Sequence, residues 1–207
     1  MIKKGFKYFL GALLAIIVLY NSVYFQPLDE KLSEESEVVF DADALVNEIW
    51  QDRLFQAFDS AVEYTTLFHQ LKSDPKSAFG QHANALAIGN IGCFRVRGEG
   101  IVKTINQNNV LLDVSGQTVE IETEFIFGNA VRDASRLIQV SDFDRTSDLN
   151  SISESINDKI RHEVIPDFRN EVKVGDRVAF SGAIELNQAH LNLAIPEIIP
   201  VSIKIIS

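Results

Sequence analysis

The sequence predicts an α+β protein: an N-terminal transmembrane helix, a long amphipathic helix, then a five-stranded OB-like antiparallel barrel with a helical insertion between strands 3 and 4. Three observations lead there. A charge-free run from Tyr8 to Gln26 follows Lys3, Lys4 and Lys7. Between Ala44 and Lys72 the apolar residues recur near the helical period. From Cys93 onward the spacing falls to two in five short segments, and a helical pattern separates the third from the fourth. Three strands, a helix-bearing connection and two more strands is the order of a small Greek-key barrel. An open antiparallel sheet with helices on one face is the competing arrangement.

As a helix, the Tyr8 to Gln26 run would reach about 28 Å, close to the thickness of a bilayer's hydrocarbon core. Lysines precede it and the acidic segment Asp29 to Glu37 follows. That bias puts the N-terminus in the cytoplasm and the C-terminal domain outside the inner (cytoplasmic) membrane, as a single-pass protein. The core of the run, Phe9 to Tyr20, is also short enough for a cleavable secretory signal. Bulky Tyr24 and Phe25, however, stand where a signal peptidase needs small side chains, so a retained signal anchor is expected, with Tyr20, Tyr24 and Phe25 at the interface. The resulting division is 1–28 anchor, 29–92 acidic tether and helical segment, and 93–207 barrel.

Asp41 or Asp43 can cap the long helix, in which Val46, Trp50, Leu54, Phe58, Phe68 and Leu71 share one face. Ser73-Asp74-Pro75 ends it and starts a short second helix, with Asp74 as cap and Pro75 in first position. Phe94, Val96, Gly98, Gly100 and Val102 alternate with Arg95, Arg97, Glu99 and Lys103 in a half-buried first strand whose glycines permit a bend. Asn106 to Asn109 turns the chain into Val110, Leu112 and Val114, and Ser115-Gly116-Gln117 into a third strand reaching Phe125. After short helical turns at Ala130 to Leu137, a helix carries Leu149, Ile152, Ile156 and Ile160, with Ser151 and Glu154 at capping-box spacing and an end at Pro166. Val178 to Leu186 is the fourth strand and Leu191, Leu193 and Ile195 the fifth. The last run, Ile198 to Ile206, contains Pro200 and should not be a regular central strand.

Beyond residue 28 the chain holds 16 basic and all 29 acidic residues, a balance of −13. Such a surface repels phosphate backbones and excludes nucleic acid as a partner. Cys93 is the only cysteine, so no intrachain disulfide can form, and it reads as a small buried hydrophobe. None of His69, His82, His162 and His190 pairs with another at metal-ligand spacing. His162-Glu163 begins like a zinc-protease motif, but Pro166 stands where the second ligand belongs. Asp142, Asp144 and Asp148 lack the glycine and terminal glutamate of a calcium loop. No nucleophile elbow or phosphate-binding glycine loop is present. The sequence therefore predicts no catalytic residues, no metal and no cofactor.

The candidate binding residues are Arg132, Asp133, Asp142 and Trp50. Arg132 could form a bidentate bond to a carboxylate or a sugar hydroxyl pair, with Asp133 orienting it. The favoured expectation is that it pairs with Asp133 or Asp142 and fixes the connection against the barrel, as internal arginine-carboxylate pairs commonly do. Trp50 is the one tryptophan of an aromatic helix whose spacing also suits packing.

Short motifs through the chain add a resemblance. Phe40-Asp41-Ala42, Glu48-Ile49-Trp50, Val96-Arg97-Gly98-Glu99-Gly100, Gly128-Asn129-Ala130-Val131-Arg132-Asp133-Ala134 and Ser141-Asp142-Phe143 resemble a bacterial family of predicted periplasmic lipoproteins of unknown function, often encoded beside sugar-import ABC transporters. The likeness runs from about Leu28 to Ile205. It implies extracytoplasmic residence and an accessory role in sugar uptake. A lipid-anchor cysteine near the apolar run is missing, so the helical anchor takes its place in this reading. The expected function is a non-enzymatic, membrane-anchored accessory or binding module whose partners are the inner membrane, through residues 8–26, and an ABC transporter or other envelope protein. The alternative is a barrel that binds a small ligand or oligosaccharide. A hydrolase would require buried carboxylates or histidines to converge in one pocket.

Overall fold

The computed structural model describes residues 4–22, 40–84 and 89–206. The chain forms two units, Met1–Phe40 and Asp41–Ser207. In the first, helix α1 spans Lys4–Ser22. Its charge-free part begins only at Tyr8 and so reaches about 22 Å, short of the roughly 30 Å of a hydrocarbon core. Among the described residues no helix is long and apolar enough to cross a membrane, contrary to the expected transmembrane helix. The end of the apolar run at Gln26, the aromatics Tyr24 and Phe25 and the acidic tether all lie outside the described residues.

The second unit starts with α2 (Ala42–Ile49), which a π-helical turn, Trp50–Leu54, joins to α3 (Phe55–Asp59). Asp41 caps α2 by accepting from the Ala44 N–H at 2.9 Å. The single helix expected to run to Lys72 is broken after Asp59. There β1 (Val62–Glu63) pairs in parallel with Val96 and Arg97, and a new helix, α4 (Tyr64–Ser73), follows. The edge of the sheet captures β-branched Val62, so tertiary pairing overrides the helical period. The period persists across the break because α3 buries Phe58 and α4 buries Tyr64, Leu67, Phe68 and Leu71. Asp74 caps α5 (Pro75–His82) through the Ser77 N–H at 3.1 Å, with Pro75 in the first turn, and β2 (Ala83–Asn84) then pairs with Phe94 and Cys93.

The barrel is built from β3 (Ile91–Ile105), β4 (Asn109–Val114), β5 (Gln117–Glu122), β6 (Arg177–Asn187) and β7 (Glu197–Ile206). The first three form the expected meander. β6 runs antiparallel to β3 from Ile91↔Asn187 to Ile101↔Arg177, β7 runs antiparallel to β6, and a short parallel pairing, Glu120↔Glu197 and Ile121↔Ile198, joins β5 to β7. The order β3-β4-β5-β7-β6-β3 closes the barrel. Inward positions such as Phe94, Val96, Leu112, Ile121, Val178 and Ile198 fill its interior, each burial contributing about 1.5–3 kcal/mol.

Three boundaries differ from expectation. The third strand stops at Glu122 instead of Phe125: the Thr123 N–H still reaches the Asn108 carbonyl at 3.0 Å, but the buried Glu122 carboxylate accepts the N–H groups of Glu124 and Phe125 at 3.0 and 2.9 Å and turns the chain away from the ladder. Residues 191–195 form a loop, and the fifth strand is the proline-bearing run instead. Pro200 is tolerated because it lies opposite Gly182 at a register shift. A Cβ on Gly182 would sit 2.3 Å from the Ile199 carbonyl oxygen, so only glycine fits that approach.

Between β5 and β6 come α6 (Ala130–Ser135), a 3₁₀ turn (Val140–Asp142), α7 (Thr146–Lys159), a π-helical turn (Ile160–Val164) and α8 (Ile165–Glu171). α7 starts before Ser151, so Ser151 and Glu154 lie mid-helix and form no capping box. Pro166 does not end the helical path either; it falls in the first turn of α8, where a missing N–H breaks no bond. α2 packs on α7, and α6 packs on β3 and β6. These helices make a second layer outside the barrel, with a core of Ile49, Leu54, Ile152, Ile156 and Ile160.

Candidate functional site

Strand alternation puts Arg97 and Glu99 on the outside of β3, while Gly98 and Gly100 leave the wall between them shallow. The result is an open cleft of about 750 Å³, bordered by Asp59, Glu63, Asp113, Arg177 and Lys204, with Ser115, Ser181 and Ser202 among its hydroxyls. Its floor is Gly98 over Phe180 and Tyr64. A Cβ on Gly98 would lie 3.0 Å from Phe180 Cζ.

Ion pairs form the rim. Arg97 Nε is 2.9 Å from Glu63 Oε1, and Arg177 Nη2 donates to Glu99 Oε2 at 2.5 Å. Lys103 lies 3.4 Å from Asp113, whose carboxyl is held below the usual carboxylate range by the Gly116 N–H and then by Lys103. Arg97, Glu63, Arg177 and Glu99 are each about half exposed (49, 50, 58 and 49%), and such pairs are each worth about 0–1 kcal/mol. Their partners can be exchanged for those of another molecule at little cost. The aromatic floor is covered, with Tyr64 at 2% and Phe180 at 4% exposure, so it offers no face for stacking a sugar ring. Burial raises the Tyr64 hydroxyl's pKa, and that hydroxyl has no hydrogen-bond partner among the described residues.

The predicted residues are only partly gathered. Arg132 and Asp133 do meet, Nε to Oδ1 at 2.7 Å, and Arg132 Nη1 donates to the Leu149 carbonyl at 2.9 Å. Arg132 is 6% exposed and Asp133 13%, so the pair lies inside the helical layer and does not face solvent. Its neighbours have the same role: Asn157 donates to the Gly128 carbonyl, and the Ser153 hydroxyl lies 2.9 Å from Asn129 Oδ1. Asp142 stands apart on the exposed 3₁₀ turn, next to the Ser141 hydroxyl. Trp50 is buried, with its ring edge-on to Phe55 at 5.5 Å and Lys159 Nζ 5.4 Å from its centroid.

Cys93 is buried too, and its thiol is pushed up to about 12 by burial and by the charges of Asp133 and Glu185, against the opposing effect of Arg132. Among the described residues no group of His, Cys, Asp and Glu side chains could hold a metal ion. The cleft itself was missed by sequence reasoning. Arg97-Gly98-Glu99-Gly100 was visible as a strand, but Glu63, Arg177 and Lys204 reach it from distant parts of the chain.

A crystal structure of an OB-fold protein from Thermotoga maritima is similar to this chain, with a TM-score of 0.73 and 21% identity over 82% of this chain and 100% of that one. At that identity the likeness shows the fold alone, and it agrees with the strand order of the closed barrel. No curated protein matches the chain. The family model for predicted periplasmic lipoproteins, DUF2291, matches residues 13–204. The one cysteine of the chain, Cys93, is 3% exposed in β3, so it cannot carry a lipid without unpacking the barrel wall. With a match running from α1 to β7, the chain belongs to the predicted periplasmic lipoprotein family DUF2291.

Proposed function

We propose that this protein is a non-enzymatic module of the cell envelope, tethered to the cytoplasmic membrane by residues 8–26, whose barrel cleft docks an extracytoplasmic protein segment of an ABC-type sugar importer. The cleft carries this reading. Arg97–Glu63 and Arg177–Glu99 alternate charge along its rim at distances of 2.9 and 2.5 Å, half exposed and ready to trade partners with a protein surface of complementary alternating charge. Mixed charge at a rim steers association and fixes register more than it adds affinity. The lysines ahead of the apolar run and the acids behind it support the tether, although α1 alone is short for a span. The sugar-import assignment follows from the family resemblance. Binding of an oligosaccharide in the same cleft is less favoured because Tyr64 and Phe180 are covered.

Cross-linking in intact cells followed by purification tests this. The expected result is recovery of a transporter subunit, with Arg177→Glu lowering recovery about tenfold and Arg177→Glu/Glu99→Arg restoring part of it. Recovery of no envelope protein, or recovery unaffected by the charge reversal, refutes the docking reading. Extraction of the protein from membranes by alkaline carbonate would refute the tether.

A further inference from the structure

A second cleft has the opposite electrostatics. Arg95 leaves the outer side of β3, and Arg136 follows the last turn of α6 in a left-handed conformation, φ 60°. Together with Ser60, Gln81 and His82 they border a space of about 220 Å³ with no carboxylate in its lining. Among the described residues neither arginine has a carboxylate partner, and residues 85–88, which follow β2, are Ala-Leu-Ala-Ile and carry no charge.

Backbone carbonyls hold both side chains. Arg95 Nη1 donates to the Ala57 carbonyl at 3.0 Å, and Arg136 Nη2 to those of His82 and Ala83 at 3.2 and 3.0 Å. Carbonyls orient a guanidinium without neutralising it, and each guanidinium has five N–H donors, so most of them stay available. The Arg95 pKa is lowered, first by burial and then by the charge of Arg136, as expected for two cations lining one cleft. Two guanidiniums lining one cleft, with no carboxylate among its lining residues, are a partly desolvated positive pair that a bound anion would compensate.

We propose that this cleft is a binding site for a small divalent oxyanion of the phosphate type, with Arg95 and Arg136 donating to it from two sides. Arginine forks match such oxygens in bidentate fashion, and the space admits a free anion or a small ester of one. The site is separate from the ion-paired cleft and does not depend on the docking reading.

Calorimetric titration of the whole protein with inorganic phosphate at low ionic strength and near neutral pH tests it. Saturable binding of one phosphate per chain is expected at millimolar concentration or below, weakened at least about tenfold in Arg95→Gln and in Arg136→Gln, and unchanged in Arg177→Gln. Absence of saturable binding overturns the proposal, as does wild-type affinity in folded Arg95→Gln and Arg136→Gln. Should either variant fail to fold, amide shifts of the unaltered protein decide. Phosphate-dependent shifts centred on Ser60, Gln81 and Arg95 support the site, and shifts elsewhere or none refute it.

Discussion

Replacing Arg132 with methionine keeps most of the apolar stem of the side chain and removes its guanidinium. That group ties α6 to α7 through Asp133 Oδ1 at 2.7 Å and the Leu149 carbonyl at 2.9 Å. Without it Asp133, 13% exposed, is left as a charge with no counter-ion, a loss of about 3–5 kcal/mol for a broken buried pair. The Leu149 carbonyl loses this donor too, and the Ser153 hydroxyl at 3.3 Å can replace it only by giving up Asn129 Oδ1 at 2.9 Å. A net loss of about 4 kcal/mol, at roughly 2–4 °C per kcal/mol for a domain of this size, lowers Tm by about 8–16 °C. Scanning calorimetry measures this directly. Arg132→Met/Asp133→Asn removes the orphaned charge and should recover at least half of the drop. If Arg132→Met melts within about 2 °C of the parent protein, the clamp account is wrong and the guanidinium is free to serve a ligand.

Other perturbations follow from the same geometry. Gly182→Ala places a Cβ 2.3 Å from the Ile199 carbonyl oxygen and should cost about 3 kcal/mol, read as a lower urea midpoint; an unchanged midpoint would refute the close approach of β6 and β7. Tyr64→Phe deletes a buried hydroxyl that has no partner among the described residues and should stabilise by about 1 kcal/mol, whereas a loss in the same melt would mean that the hydroxyl is satisfied. The Cys93 thiol, raised from 9.0 to about 12, holds its proton more tightly in the folded state. Its contribution is therefore complete below the lower value and fades as pH climbs toward the upper one, and thiol reagents should label Cys93 quickly only after denaturant is added. Glu197 has its carboxyl raised by burial and by Glu122, Glu120 and Glu185, so its ionisation opposes folding. Glu197→Gln should accordingly raise Tm at neutral pH, with the gain vanishing in acid where the carboxyl is protonated in both states; a gain independent of pH would contradict this.

How much could be read without coordinates depended on the range of the interactions involved. Alternation in Phe94, Val96 and Val102 marked which side of β3 is buried, Asp74 was legible as a cap and Asp41 as one of two candidates with Asp43, because each of these signals is settled by atoms within a few residues. The meander and its turns were legible for the same reason. The predicted Arg132–Asp133 contact joins sequence neighbours, yet its burial depends on α7, which sequence spacing could not place. Asp142, four positions before the start of α7 and exposed, never reaches that pair.

The sequence by itself determined the barrel's first three strands, the helical connection and the acidic surface, since composition and short-range periodicity are local properties of the chain. Only the tertiary structure decided that Val62-Glu63 leave the helix to pair with β3, that Pro200 enters the closing strand opposite Gly182, and that Glu63, Glu99, Arg177 and Lys204 border one cleft. A periodic pattern says which face of an element will be buried, while its partner is chosen by the non-local packing and hydrogen bonding that close the barrel.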